Sequence, residues 1–198
     1  SLILIYKKMD VDMNFIPDAV SGEWDIKTFT VSGTELSEKL QFIKTGRYTP
    51  HGTYKKLVRG STLVMSNTPD EIRDFSHLVN SAHGNILING LGLGCLVKCL
   101  LDKAEVEHIK VVEKSQDVIN LVSPYFSDNR LEIVHADAFE YKPPRGERYD
   151  FVWHDIWDYI TTDNLPEMHA LHKKYSRRTK WQDSWCIALC KKKKERYF

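Results

Sequence analysis

The residues Ile86-Leu87-Ile88 run directly into Asn89-Gly90-Leu91-Gly92-Leu93-Gly94, and an apolar stretch from Cys95 to Leu101 follows. A short β-branched and apolar run reads as a buried strand and the stretch after the glycines as a helix, so the glycines fall where strand gives way to helix. Glycine at alternating positions permits a tight turn and lets a ligand approach the backbone without meeting a Cβ. The helix start behind it leaves N–H groups unpaired. The loop therefore predicts a nucleoside or nucleotide laid against Asn89, Gly90, Leu91, Gly92 and Gly94.

The pattern around the loop is consistent with that. Strand-like and helical stretches alternate over Asn85–Asn89, Cys95–Leu101, His108–Glu113, Gln116–Tyr125, Leu131–His135 and Tyr149–Asp155. Such alternation is the signature of a parallel sheet covered by helices. Upstream, Trp24–Val31 alternates as a half-buried strand, Thr34–Ile43 reads as a helix, and Tyr54–Met65, broken at Arg59-Gly60-Ser61, reads as a hairpin. Ile72, Phe75, Leu78 and Val79 predict a helix from Pro69 to about Ala82, capped by Asn67 or Thr68. Asp163–Tyr175 and Trp181–Lys192 read as two more helices. The chain thus divides into a β-rich appendage (1–68), a ligand-binding core (69–160) and a helical segment packing on it (161–198).

Ligands of open α/β sheets bind beyond the carboxyl ends of the strands. Glu113 ends the strand after the glycine loop, where a carboxylate can accept both ribose hydroxyl protons. The next strand ends at Asp137-Ala138-Phe139, which offers an adenine an acceptor and an apolar face. Asp155 ends the fourth, beside His154, and stands where a reacting group would lie. Trp157 and Tyr159 are packing residues or walls of a substrate site, and Trp157 suits a cationic amine.

With these residues in place, the stretch from about Tyr54 to Tyr159 resembles class I S-adenosylmethionine-dependent methyltransferases, and within them the spermidine-synthase branch. The segments that carry the likeness are Val111-Val112-Glu113-Lys114, Pro124-Tyr125-Phe126, Asp128-Asn129-Arg130-Leu131-Glu132-Ile133 and Asp137-Ala138-Phe139. Asp155-Ile156-Trp157-Asp158 is similar to that branch's D-x-x-D element. The resemblance implies a Rossmann-like α/β fold, S-adenosylmethionine as cofactor, and a cofactor site that includes Lys114 and Ala138. It also implies Asp155, Asp158 and His154 as catalytic candidates, the first Asp orienting and deprotonating an amine. A second similarity, to guanidino N-methyltransferases, rests on Val64-Met65-Ser66-Asn67-Thr68-Pro69. The expected function is methyl transfer to an amine or guanidino nitrogen of a small molecule. Aminopropyl transfer, another S-adenosylmethionine-using reaction and a non-catalytic binder are the alternatives. A nicotinamide cofactor fits less well, because Cys95 stands where its fingerprint has Gly or Ala.

The sequence departs from these families at several points. Asn89 replaces the acidic residue that usually opens the loop. Phe75-Ser76-His77-Leu78 stands where polyamine enzymes carry other residues. The chain lacks the terminal hairpin of a seven-stranded sheet, which predicts a sheet truncated to about five strands, with Trp181 and Trp185 covering its edge or forming a dimer contact. A net charge of +1 over 198 residues gives no global field toward nucleic acid or an anionic membrane. The basic runs at Lys173-Lys174, Arg177-Arg178 and Lys191–Lys194 read as solvated helix ends. No apolar run reaches the roughly 20 residues of a membrane span, which predicts a soluble, cytoplasmic protein. Cys95/Cys99 and Cys186/Cys190 form i,i+4 pairs, read as buried reduced thiols on helix faces rather than as a metal site.

Overall fold

The computed structural model describes residues 10–34, 36–37, 39–40, 47 and 49–195. Strands β1 (Ala19–Ser21), β2 (Trp24–Val31), β3 (Gly52–Arg59) and β4 (Thr62–Ser66) form an antiparallel sheet in chain order. β2 and the β3–β4 hairpin lie where the alternation and the Arg59-Gly60-Ser61 break predict them. Only β1, too short to show a period, has no counterpart in the sequence pattern. Of the helix expected over Thr34–Ile43, Leu36, Ser37, Lys39 and Leu40 are helical, and residues 35, 38 and 41–43 lie outside the described residues.

Helices α1 (Pro69–Asp74) and α2 (Ser76–Ser81) replace the single helix expected to run to Ala82. At Phe75 the backbone leaves helical geometry (φ −116°, ψ 8°). The break leaves Ile72, Phe75 and Leu78 all buried in the core. Thr68 takes the N-cap position, but its hydroxyl pairs with Ser66 Oγ instead of capping. The Glu71 carboxylate turns back to accept from Ser66 N at 2.7 Å and Ser66 Oγ at 2.9 Å.

The second sheet is built from β5 (Gly84–Asn89), β6 (Val106–Glu113), β7 (Leu131–His135), β8 (Phe151–His154) and β9 (Gln182–Ser184), in the order β7-β6-β5-β8-β9 and parallel throughout. Helices α3 (Cys95–Leu101), α4 (Gln116–Val122, continued by a 3-10 turn), α5 (Asn164–Tyr175) and α6 (Ile187–Glu195) complete it. This is the expected Rossmann-like α/β fold, with its sheet cut to five strands. The order reverses at β5, between β6 and β8, and this places a crevice at the carboxyl end of β5.

The C-terminal segment is not purely helical. Residues 182–184, expected within a helix, form the edge strand β9, because the outer edge of β8 has main-chain groups to satisfy. Val152 N donates to Trp181 O at 3.0 Å and Trp185 N to His154 O at 2.9 Å. Trp181 and Trp185 therefore flank a strand instead of sharing a helix face. Both pack, partly buried, against the chain's own core.

The N-terminal sheet shares that core: Ile26 and Leu57, fully buried, cluster with Ile86, Ile88 and Leu96. A second joint is polar, with Ser21 Oγ donating to Asp117 Oδ1 of α4 at 2.6 Å. Among the described residues, no helix is long and apolar enough to cross a membrane.

Candidate active site

The glycine loop bends sharply enough that Gly90 (φ +102°) presses on the chain after β8. A Cβ there would lie 2.0 Å from the Asp155 carbonyl oxygen. Gly92 and Gly94 also adopt positive φ. Gly92 faces Met65 of β4, whose sulfur accepts from Leu93 N at 3.3 Å, and Gly94 faces the Phe126 ring and lies off the cavity. Gly90, Leu91 and Gly92 line a cavity of about 740 Å³ at the carboxyl end of β5.

Strand-end acids surround it. Glu113 accepts from Leu91 N through Oε2 and from Ser115 N through Oε1, each at 2.8 Å, so it ties the glycine loop to the start of α4. Each oxygen keeps a lone pair for a further donor. Asp137 accepts from Phe139 N at 2.8 Å and pairs with the exposed Lys114 ammonium at 2.9 Å. The Lys114 bond holds the Asp137 pKa below its ordinary value and raises that of Lys114. Ala138 is buried beside them on the cavity wall.

Asp155 lies on the same cavity, half-buried, with its amide bonded to Asn89 O at 2.8 Å. Burial pushes its carboxyl up to about 7, and the neighbouring Asp74, Glu71 and Asp158 carboxylates add to the rise. Trp157 is buried on the lining, with its indole N–H bonded to Glu167 Oε2 at 2.7 Å. Asp158 also lines the cavity but is paired with Arg59 of β3 at 2.5 Å.

Besides Gly94, three of the expected residues lie elsewhere. Asn89 and His154 are fully buried behind the loop, off the cavity, and bond each other at 2.9 Å. An amide nitrogen can only donate, so His154 Nδ1 accepts and Nε2 carries the proton toward Gln182 Oε1 at 3.0 Å. Burial lowers the His154 pKa to about 4, and its place is in the sheet's interior. Tyr159 is exposed outside the lining, with its hydroxyl 3.2 Å from Thr62 Oγ1. Its expected role as a substrate wall is not what the geometry gives it.

Several lining residues carry no mark in the glycine-loop pattern. Glu71, Phe75, Trp24, Arg59, Met65 and Trp185 come from the N-terminal sheet, α1, Phe75 between the two short helices, and the turn after β9. Glu71 shows the Thr68-x-x-Glu71 spacing of a helix start, and Met65 lies in the Val64–Pro69 segment that carries the second resemblance; neither pattern marks a cavity by itself. Burial raises its pKa. Together Glu23, Glu71, Glu113, Asp117, Asp137, Asp155, Asp158 and Glu167 outnumber Arg59 and Lys114 around the cavity. The lining is rich in carboxylates.

The cysteines stand apart from this chemistry. Cys95, Cys99 and Cys190 are buried thiols, and Cys186 (φ +53°) precedes α6 instead of lying on its face. Among the described residues, no group of three or more His, Cys, Asp or Glu is placed to hold a metal ion. The basic runs are partly committed: Lys174 bonds the Ala138 and Phe139 carbonyls, Arg178 those of Pro144 and Glu147, and Lys193 that of Ile160.

No family model and no curated protein matches the chain. The solved structures it resembles include methyltransferases and a spermidine synthase. Spermidine synthase in complex with the transition-state analogue AdoDATO shares 20% identity over 75% of this chain and 49% of its own, at a TM-score of 0.44. The SAM-bound amino pentose methyltransferase CalS10 from Micromonospora echinaspora shares 16% over 59% and 50%, at 0.42. The CcbJ methyltransferase from Streptomyces caelestis shares 16% over 55% and 45%, at 0.43. The chain spans about half the length of each.

Proposed function

We propose that the cavity binds S-adenosylmethionine and that the chain transfers a methyl group to an amine or guanidino nitrogen of a small molecule. The observation that carries this reading is the placement of Glu113, Asp137 and Asp155 at the ends of three strands around Gly90-Leu91. The residues suit the cofactor. Glu113 keeps lone pairs for the ribose hydroxyls, the Gly90-Leu91 backbone admits close approach, and Asp137 and Ala138 offer an adenine an acceptor and an apolar face. Lys114, on the exposed end of its ion pair, can yield Asp137 to the adenine amine.

When bound, S-adenosylmethionine supplies an electrophilic methyl group on a sulfonium. The chain's own part is positioning and proton handling. Holding two reactants in line removes much of the entropic barrier. Asp155 and Glu71 attract a protonated amine, and Asp155, with its pKa near neutrality, accepts the proton that the nitrogen must lose. The carboxylate-rich lining repels a polyanion, which favours a small cationic acceptor over nucleic acid.

Calorimetric titration with S-adenosylmethionine, and separately with NAD, tests the cofactor. Saturable S-adenosylmethionine binding that weakens at least tenfold in Glu113→Ala supports the site. Absence of binding, or a preference for NAD, refutes it. Product analysis then tests the reaction: S-adenosylhomocysteine marks methyl transfer, and methylthioadenosine would replace that reading with aminopropyl transfer or lyase chemistry.

A further inference from the structure

One cation is already seated in this carboxylate-lined cavity. Arg59, the last residue of β3, places its guanidinium 5.3 Å from the centre of the Trp24 ring and donates from Nη2 to Asp158 Oδ2 at 2.5 Å. All three side chains line the cavity. The strand register sets the stack, because Trp24 and Arg59 are direct partners across β2 and β3. The pair is asymmetric: the Asp158 side chain is 15% exposed and that of Arg59 41%. The carboxylate is thus the fixed, sheltered member and the guanidinium the accessible one.

A carboxylate beside an aromatic face is the arrangement that captures an ammonium or guanidinium. Here the chain supplies its own, from a hairpin that also meets the loop after β8 through Thr62 and Tyr159, which is exposed. Ion pairs this accessible are weak, so the contact can open.

We propose that Arg59 is an internal plug: its guanidinium occupies a cation subsite, formed by Trp24 and Asp158, that a cationic group of the acceptor takes by displacing it. This deepens the reading of the cavity as an acceptor site and rests on it. It selects acceptors that carry an ammonium or guanidinium besides the nitrogen that reacts, since Asp155 and Glu71 serve the latter. It also gives Asp158 a task in binding and specificity instead of in proton transfer.

The competition sets the scale. A site whose open form is a minor population binds its ligand more weakly by that fraction, and an exposed pair with a stacked ring holds the closed form by about tenfold. The test uses methylguanidinium as probe and neutral N-methylurea as control, titrated without S-adenosylmethionine and followed by nuclear magnetic resonance of the tryptophan indole and arginine Nε–H signals. Arg59→Met is expected to bind methylguanidinium about tenfold more tightly than the wild type, with N-methylurea unchanged. Adding Asp158→Asn is expected to remove the gain. Equal affinity in wild type and Arg59→Met, or a gain that survives Asp158→Asn, overturns the proposal. Should Arg59→Met fail to fold, the wild type decides. The Arg59 Nε–H signal moves on saturation with methylguanidinium if the plug leaves, and an unmoved signal overturns the idea. S-adenosylmethionine binding is measured separately, so its failure alongside a tenfold gain would remove the methyl-transfer reading and leave the subsite standing.

Discussion

Asp155 carries a cost that a single substitution exposes. Its pKa rises from 3.8 to about 7 in the folded chain, with burial as the main cause and Asp74, Glu71 and Asp158 adding to it. The folded state therefore holds a proton that the unfolded state releases, and stability falls as pH rises through the interval between those values. At about 1.36 kcal/mol per pKa unit the gap corresponds to about 4 kcal/mol, and partial solvent access to a half-buried carboxyl brings the expectation to about 2 kcal/mol. Asn has the same shape and no charge. Because about a third of that loss is already complete at pH 5, Asp155→Asn should stabilise the protein at pH 8 by about 1 kcal/mol more than it does at pH 5, read by urea denaturation of both chains at both pH values. The same substitution should lower turnover by about 10²- to 10⁴-fold while cofactor affinity stays within a few-fold, if Asp155 handles the acceptor as proposed. A stability difference between the two chains that is the same at pH 5 and pH 8 would refute the claim that Asp155 is held near neutrality. An active Asp155→Asn would refute its role in proton transfer.

Other perturbations follow from the same geometry. Gly90→Ala must place a Cβ 2.0 Å from a backbone carbonyl at φ +102°, and it should destabilise by at least about 3 kcal/mol in urea denaturation. A loss under about 1 kcal/mol would mean the loop relaxes freely. His154, with its pKa lowered to about 4 from 6.5 by burial, favours folding above its unfolded pKa, and that contribution disappears as pH falls toward 4. Its imidazole nitrogen shifts should report a neutral ring with the proton on Nε2 at pH 6, and a charged ring at that pH would undo the assignment of its bond to Asn89.

The fold is legible in the sequence wherever an element is long enough to show a period or is bounded by a turn residue. β2, the β3–β4 hairpin and every element from β5 to β8 stand within a few residues of their pattern. The differences have local causes. Three residues, such as β1 or β9, hold no measurable alternation. β9 exists because the outer edge of β8 needs main-chain partners, a demand that arises only once the sheet has formed. The helix expected from Pro69 to Ala82 is right in face and wrong in continuity. Ile72, Phe75, Leu78 and Val79 all meet the core, but the chain breaks at Phe75 to bring them there, and periodicity is blind to one residue leaving helical geometry.

The site divides along a similar line. Gly90, Glu113, Asp137 and Asp155 are readable because the sheet's topology sends strand ends to one place, and sequence order records that topology. Asn89 and His154 adjoin those positions in sequence, yet the strand's alternation turns them into the interior, where they bond each other; adjacency to a site residue is not adjacency to the site. The acceptor side is the harder half. Trp24, Arg59 and Glu71 reach the cavity because a separate sheet docks on the core, and the Arg59–Asp158 pair joins residues 99 positions apart. No local pattern encodes such a meeting. In the proposed reading the cofactor half of the cavity is set by the parallel sheet, whereas the proposed selectivity for a cation depends on how the N-terminal sheet is seated. Ser21→Ala, which removes the bond to Asp117 where that sheet meets α4 and alters no lining residue, should therefore weaken methylguanidinium binding at least as much as S-adenosylmethionine binding when the two are titrated separately, and a loss confined to S-adenosylmethionine would refute this division of the cavity.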